Sequence, residues 1–126
     1  MAIVDRKEFE ELVTRVLNEL PGAFKDKLEN VDVVIEGQPD MEILKRSNIG
    51  ARGHLLGLYQ GVPLKNRTHY YGMVLPDKII LYKANIEQAC LKDRVNVYEE
   101  IRRVLQHEIA HHFGISDQRL KDLGTY

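Results

Sequence analysis

Cysteine is almost absent from this sequence. Cys90 is the only cysteine among 126 residues, so no disulfide can form within the chain, and a reducing compartment is the simplest location. The sequence also lacks an apolar run long enough to cross a bilayer, and its start, MAIVDRKEFEELV, has no basic segment leading into an apolar one. We therefore expect a cytoplasmic protein with no disulfide framework and no membrane partner.

An excess of charge of one sign is missing as well. Eighteen Lys and Arg residues stand against 19 Asp and Glu residues, for a formal net charge of −1, so binding of nucleic acid through bulk charge is not expected. We find no repeat, low-complexity tract or linker. Hydrophobic residues make up 44% and charged residues 29%, which predicts one globular domain over residues 1–126.

Hydrophobic spacing and turn residues predict the secondary structure. Helices are predicted at residues 5–20, 23–29, 85–91, 94–113 and 117–123. Strands are predicted at 31–35, 54–59, 70–75 and 78–82, the last two as a hairpin, with a long connection at 37–53. This order of helix, strands and helices predicts an α+β fold with the helices packed on one sheet.

The most informative stretch is HEIAHHFGISD, residues 107–117. On a helical wheel His107 and His111 lie about 40° apart at the edge of an apolar arc, and histidines at this spacing can bind one metal ion. Glu108 falls inside the arc, where a carboxylate is costly unless it is paired or functional. An H-E-x-x-H match alone should occur by chance in roughly a few chains per thousand of this length.

A catalytic zinc site needs three protein ligands and an open position. Gly114 permits the left-handed turn that ends a helix, so the chain can return and bring Asp117 to the metal as third ligand. We predict one zinc ion per chain, held by His107, His111 and Asp117. Glu108 would be the catalytic base that takes a proton from a metal-activated water. Two histidines and one carboxylate also suit Fe(II), but Glu108 supplies a base that favours zinc hydrolase chemistry.

Other polar residues near the motif have structural explanations. His112 points at the middle of the apolar arc, which favours a core histidine or a group that orients Asp117. We expect His54 and His69 at the surface and Cys90 in the core, and Asp122 is a weaker candidate for the third metal ligand. A run of charged residues is expected on a solvated helix face: Glu99, Glu100, Arg102 and Arg103. No oxyanion-stabilising group can be chosen among Tyr70, Tyr71, Tyr82, Tyr98 and Tyr126.

Three stretches carry a family resemblance: LLGLYQGVPL (55–64), LPDKIILYKANIEQAC (75–90) and HEIAHHFGISDQRL (107–120). With them the chain resembles the small bacterial zincin-like zinc metallopeptidases. The resemblance implies an α+β fold in which the motif helix packs on a small mixed sheet, and the same ligands and base. In zincins an edge strand aligns the peptide substrate, and the strand from Lys78 to Tyr82 is the candidate here. The residues after Asp117 hold neither the methionine turn of metzincins nor a long gluzincin-type helix, so we expect a minimal zincin.

Two alternatives to a peptidase acting on peptides or unfolded protein remain open. One is a non-enzymatic, metal-stabilised module that binds a partner through a sheet edge. The other is a metal-dependent endoribonuclease like the bacterial rRNA-maturation proteins, whose H-G-x-x-H-x-x-G-x-x-H pattern has the same spacing. Glu108 and Asp117 replace the glycine and histidine of that pattern, and the near-neutral charge gives little support for RNA binding.

Overall fold

The computed structural model describes residues 4–47, 55–61, 77–114 and 118. The helices are α1 (Arg6–Glu19), α2 (Gly22–Lys25), α3 (Met41–Ser47), α4 (Lys83–Asp93) and α5 (Val97–Phe113), with a 3-10 turn at Asp26–Leu28. The strands are β1 (Val31–Glu36), β2 (Gly57–Gln60) and β3 (Asp77–Tyr82). A small mixed sheet with helices packed on it confirms the predicted α+β class.

The three strands form one sheet in the order β1-β3-β2. β1 runs parallel to β3, with Val33 opposite Ile79, and β2 runs antiparallel to it, with Tyr59 also opposite Ile79. The prediction that Lys78 to Tyr82 is an edge strand is therefore wrong. Because β3 has a partner strand on each side, it has no backbone edge to offer to a peptide substrate.

β3 is buried on both faces, and its alternate residues enter two hydrophobic clusters. Ile79 and Leu81 pack in the main core, whereas Ile80 and Tyr82 pack with Leu55 on the opposite face of the sheet. Strands alternate their side chains between faces, so this central strand joins both clusters. The main core also contains the buried residues of the helices: Phe9, Val13, Val16, Phe24, Ile86, Cys90, Val97, Ile101, Val104, Leu105, Ile109 and Ala110.

α1 confirms the sequence prediction closely. The Asp5 side chain accepts a hydrogen bond from the backbone N–H of Glu8 at 2.7 Å, which caps the first turn. Phe9, Val13 and Val16 are buried, since helical spacing brings them to one face. This face packs against α5, so α1 covers the helix that carries the motif.

The motif helix begins three residues later than predicted. Arg94 has φ 57° and ψ 41°, a left-handed conformation that cannot continue a right-handed helix. α5 therefore starts at Val97, and the Asn96 side chain accepts a hydrogen bond from the N–H of Glu99 at 2.7 Å. Gly114 ends the helix with φ 70°, as the sequence predicts.

Two further predictions need correction. Residues 37–53 are not all loop, because Asp40 accepts a hydrogen bond from the N–H of Ile43 at 2.8 Å and so caps α3. β2 begins at Gly57, later than predicted, although the carbonyl of Leu56 still accepts a hydrogen bond from the N–H of Tyr82. The predicted strand at 70–75, the predicted helix at 117–123 apart from Gln118, and His54, His69, Asp117 and Asp122 lie outside the described residues. Within those residues, no helix has the length and apolar character to span a membrane.

Candidate metal centre and cleft

His107, Glu108 and His111 lie together on the last two turns of α5. His107 and Glu108 are partly buried, and His111 is exposed. The ring centroids of the two histidines are 6.4 Å apart, with planes tilted by 42°. The spacing of four residues therefore brings two imidazoles to neighbouring turns on one side of the helix, as predicted.

Asp117 lies outside the part of the chain that the structure describes, so its role as third ligand stays a prediction. Among the described residues, no group of three His, Cys, Asp or Glu side chains could hold a metal ion. The two histidines are the part of the predicted donor set that the described residues contain.

The Glu108 carboxylate is held by the neighbouring strand. Its Oε1 accepts a hydrogen bond from the backbone N–H of Tyr59 in β2 at 3.1 Å. Burial raises the pKa of the Glu108 carboxyl above its ordinary value, while the Tyr59 N–H and the charge of His111 lower it in part. The costly carboxylate of the apolar arc is thus oriented by a specific donor, and its pKa moves toward the range that suits a general base.

Gly57 allows β2 to lie this close to α5. A Cβ atom at Gly57 would lie 2.6 Å from Cγ1 of Val104 and 3.5 Å from Cγ of Glu108. The first distance is far shorter than a van der Waals contact. Glycine inside a strand often indicates such a close approach, and here the approach brings the strand backbone to the Glu108 carboxylate.

A cleft of about 210 Å³ lies between β2 and α5. Its walls are formed by Leu55, Leu56, Gly57, Arg103, Val104, His107 and Glu108. One wall is the backbone and apolar side chains at the start of β2, and the other is one face of α5. The predicted base and one predicted ligand therefore line an open, partly apolar cleft, the usual surroundings of a ligand site.

His112 is exposed, so its prediction as a core histidine is wrong. Its ring stacks on the ring of Tyr59, with centroids 3.7 Å apart and planes 11° apart. The Tyr59 hydroxyl donates a hydrogen bond to Asp77 at 2.9 Å. The last turn of α5 extends past the core, since His111, His112 and Phe113 are all exposed, and the helical wheel could not show where the core ends.

Glu100 is also placed differently from its prediction. It is 4% exposed, although the sequence predicts a solvated helix face. Its carboxylate accepts hydrogen bonds from Nε and Nη2 of Arg103 at 3.0 and 2.5 Å. This bidentate pair compensates the charge of the buried Glu100 carboxylate. Arg103 lies one helical turn before His107 on α5.

Two of the tyrosines considered as oxyanion stabilisers lie in the described residues. Tyr82 is fully buried, and burial, together with the charges of Glu36 and Asp40, raises its pKa to about 12. Tyr98 donates a hydrogen bond to Glu19 at the contact between α1 and α5. Neither lines the cleft beside Glu108, so neither is suited to contact a substrate there.

Sequence reasoning missed three contributors to this site: Gly57, Tyr59 and Arg103. The isolated glycine in HLLGLY was a signal for close backbone approach. Tyr59 acts on Glu108 through its backbone, which no side-chain pattern reveals. From the sequence, Arg103 is one member of a charged run on the helix surface. Only the burial of Glu100 shows that Arg103 has a specific partner.

The sequence profile of the zincin-like metallopeptidase family matches residues 28–125. The match covers most of the chain and includes all three strands, α4, α5 and the motif. The chain therefore belongs to the zincin-like metallopeptidase family, which confirms the resemblance seen in the sequence. No curated protein matches the chain.

Proposed function

We propose that this protein is a zinc-dependent peptidase in which Glu108 is the catalytic base and His107, His111 and Asp117 hold the metal. One observation carries the proposal: a partly buried Glu108 stands between the two histidines in sequence, and its carboxylate is oriented by the Tyr59 N–H in an open cleft. A carboxylate with only a structural role would more often be paired with a cationic side chain.

The residues fit zinc by their chemistry. Imidazole nitrogens and a carboxylate oxygen are ordinary zinc ligands at roughly 2 Å, so each ring centre would lie about 3 Å from the ion. Tetrahedral coordination by one ion would bring the two ring centres closer together than their present 6.4 Å, so the exposed His111 would have to turn inward to bind it. When bound, zinc acts as a Lewis acid that lowers the pKa of water to about 7.

Glu108 then performs the proton transfers. Its Oε1 is held by the Tyr59 N–H, which leaves the other carboxylate oxygen to accept a proton from the attacking water. The protonated carboxyl can later deliver that proton to the leaving amine nitrogen. Burial raises the pKa of this carboxyl, which makes the carboxylate a stronger base toward the attacking water.

We propose a peptide or an unfolded protein segment as substrate. The peptide would lie along β2 rather than β3, because β3 is paired on both sides. In antiparallel pairing the backbone groups of successive residues point alternately toward and away from the neighbour. Leu56 bonds to β3, so the backbone groups of Gly57 point away from β3, close to Glu108.

The free, buried Cys90 supports action in a reducing compartment such as the cytoplasm.

The test compares wild type with Glu108→Gln and His111→Ala. We expect about one zinc per chain in wild type and in Glu108→Gln, and loss of zinc in His111→Ala, by elemental analysis of protein purified without a histidine tag. We expect wild type to cleave members of a broad peptide mixture, read by mass spectrometry. Glu108→Gln should lose turnover by at least roughly a hundredfold, since general base catalysis contributes about 10²–10⁴.

His112→Ala is the matched control for the metal measurement, because His112 is an exposed histidine of the same turn that the proposal does not assign to the metal. It should keep its zinc. Equal turnover in wild type and Glu108→Gln would contradict the proposal. Bound zinc without cleavage of any peptide would favour the metal-stabilised binding module, and chelator-sensitive cleavage of structured RNA would favour the endoribonuclease.

A further inference from the structure

A cationic side chain lines the same cleft as the predicted base. Arg103 precedes His107 by one helical turn on α5, and its side chain forms part of the cleft wall together with Val104, His107 and Glu108. The side chain is 48% exposed. It therefore lies at the border between the cleft and solvent, on the N-terminal side of the two histidines.

Glu100 fixes the direction of this guanidinium. Nε and Nη2 of Arg103 donate to the two carboxylate oxygens of Glu100, which is 4% exposed. Holding a long side chain in one geometry costs conformational entropy, and here the buried partner has already ordered it. The guanidinium carries about five N–H donors, so the pair with Glu100 leaves several of them for a further acceptor.

We infer that Arg103 binds a carboxylate of the substrate, which makes the protein selective for peptides that carry a negative charge near the cleaved bond. The inference rests on the proposed peptidase function. The planar fork of arginine matches carboxylate oxygens better than an ammonium does. The carboxylate can come from the C-terminus of a short peptide or from an acidic side chain.

The charges around the cleft agree with this assignment. Glu108 faces the cleft as a carboxylate and would repel an anionic substrate group placed beside it. Apart from the proposed metal, the cleft therefore favours a substrate carboxylate at a distance from Glu108, and Arg103 offers a guanidinium on the wall one helical turn before His107. Arg102, its neighbour, pairs with Glu99 at 3.1 Å and does not line this cleft.

A purely structural role for Arg103, as counter-charge for Glu100, makes a different prediction. Loss of that pair would weaken folding and would affect all substrates equally, whatever their charge. Selectivity for a carboxylate, in contrast, must appear as a difference between matched charged and neutral peptides. The two roles are separable by that difference.

The experiment uses N-acetylated pentapeptides in matched pairs. One pair ends in a free carboxylate or an amide, and the other pairs, all amidated, carry glutamate or glutamine at each position in turn. Binding is measured by calorimetry on zinc-supplied Glu108→Gln, which does not turn over, and KM and kcat are measured on wild type. We expect the charged member of at least one pair to bind roughly tenfold to a hundredfold more tightly, with the gain in KM rather than kcat. The pair that shows it identifies the source of the carboxylate.

In Arg103→Gln the preference should vanish while binding of the neutral peptides stays unchanged, and Arg103→Lys should retain part of it. Arg102→Gln is the matched control and should keep the full preference. Because Arg103→Gln leaves Glu100 buried without its partner, the double variant Glu100→Gln/Arg103→Gln provides a folded alternative that should also lose the preference.

The outcomes separate this inference from the proposed function. Wild-type turnover with no preference in any pair, or with a preference that survives Arg103→Gln, overturns the inference and leaves the peptidase standing. A carboxylate preference in binding that depends on Arg103, without turnover by wild type, supports carboxylate recognition by Arg103 but overturns the peptidase, and with it the selectivity for a cleaved bond. Absence of binding by every peptide overturns the inference.

Discussion

Partial burial of the Glu108 carboxylate lowers the stability of the fold, but it also suits the carboxylate to act as a base. Its carboxylate lies in the cleft between α5 and β2 and accepts a single described hydrogen bond, from the Tyr59 N–H. That bond exists because Gly57, two residues earlier, has no side chain to separate the strand from Val104. The position of the predicted base therefore depends on the absence of one methyl group.

Gly57→Ala should destabilise the protein by about 1–3 kcal/mol, the usual cost of overpacking. The added Cβ would lie 2.6 Å from Cγ1 of Val104, and Val104, at 5% exposed, has little room to move. Any turnover should fall as well, since β2 and the Tyr59 N–H shift away from Glu108. Urea unfolding gives the change in the free energy of unfolding.

Gly37→Ala is the control, because a Cβ at Gly37 meets no atom within 4 Å, and it should be nearly neutral. In Gly57→Ala/Val104→Ala the clash is removed, so the double variant should be less destabilised than the sum of its parts. Additive losses, or no loss in Gly57→Ala alone, would show that the close approach does not constrain this site.

At the scale of elements, α5 combines two sharp ends with two different faces. Asn96 and Gly114 define its ends, and Arg94, in the left-handed region, separates it from α4. Its buried face packs on α1 and the sheet, whereas its last turn extends past the core with the histidines. A helix that is capped at both ends and packed along its core face can hold the side chains of its last turn in fixed positions.

Asn96→Ala should lower the free energy of unfolding by about 1 kcal/mol, within a range of roughly 0.5–2. The substitution removes the acceptor for the N–H of Glu99, now bonded at 2.7 Å, and leaves a donor of the first turn without a partner. Chemical denaturation followed by circular dichroism measures the change.

Asn96→Asp should be close to wild type, because aspartate caps helices equally well and its charge suits the helix N-terminus. Zinc content should not change in either variant, since the cap lies at the opposite end of α5 from His107 and His111. A loss of zinc in Asn96→Ala at a temperature where the protein is folded would argue against the independence of the two ends.

At the scale of the whole molecule, the cleft is formed by segments that are distant in the chain. Tyr59 and Glu108 are 49 residues apart, and β3, between β1 and β2 in the sheet, carries α4 directly after it. The proposed metal would join two turns of α5 to Asp117 beyond Gly114, so that metal binding should stabilise the folded chain as a unit.

Removal of the metal should therefore lower the melting temperature. A ligand present at about 100 times its Kd stabilises the folded state by about 2.7 kcal/mol, and about 1 kcal/mol shifts the Tm of a domain of this size by roughly 3–6 °C. We expect chelation to lower the Tm of wild type by roughly 8–16 °C and added zinc to restore it, in calorimetric scans.

In His107→Ala the Tm should be the same with and without chelator, because the metal is no longer held. His112→Ala should respond like wild type. A chelator-dependent shift that persists in His107→Ala would place the stabilising metal elsewhere in the protein.

The features that depend on local chemistry were predictable from the sequence. α1, β1 and most of α5 follow from hydrophobic spacing, the caps at Asp5 and Gly114 follow from side-chain and backbone preferences, and His107, Glu108 and His111 share two turns because helical geometry requires it. The family resemblance was readable for the same reason, since it rests on three short continuous stretches of sequence.

The features that depend on contacts between distant segments of the chain required the folded structure. Pairing on both sides made β3 the central strand, and packing buried Glu100 beside Arg103 while leaving His112 exposed on Tyr59. Helical and strand periods specify which residues share a face, but they do not say which neighbour covers that face or where the core stops. For this reason the donor to Glu108 and the cation in its cleft became visible only in the folded chain.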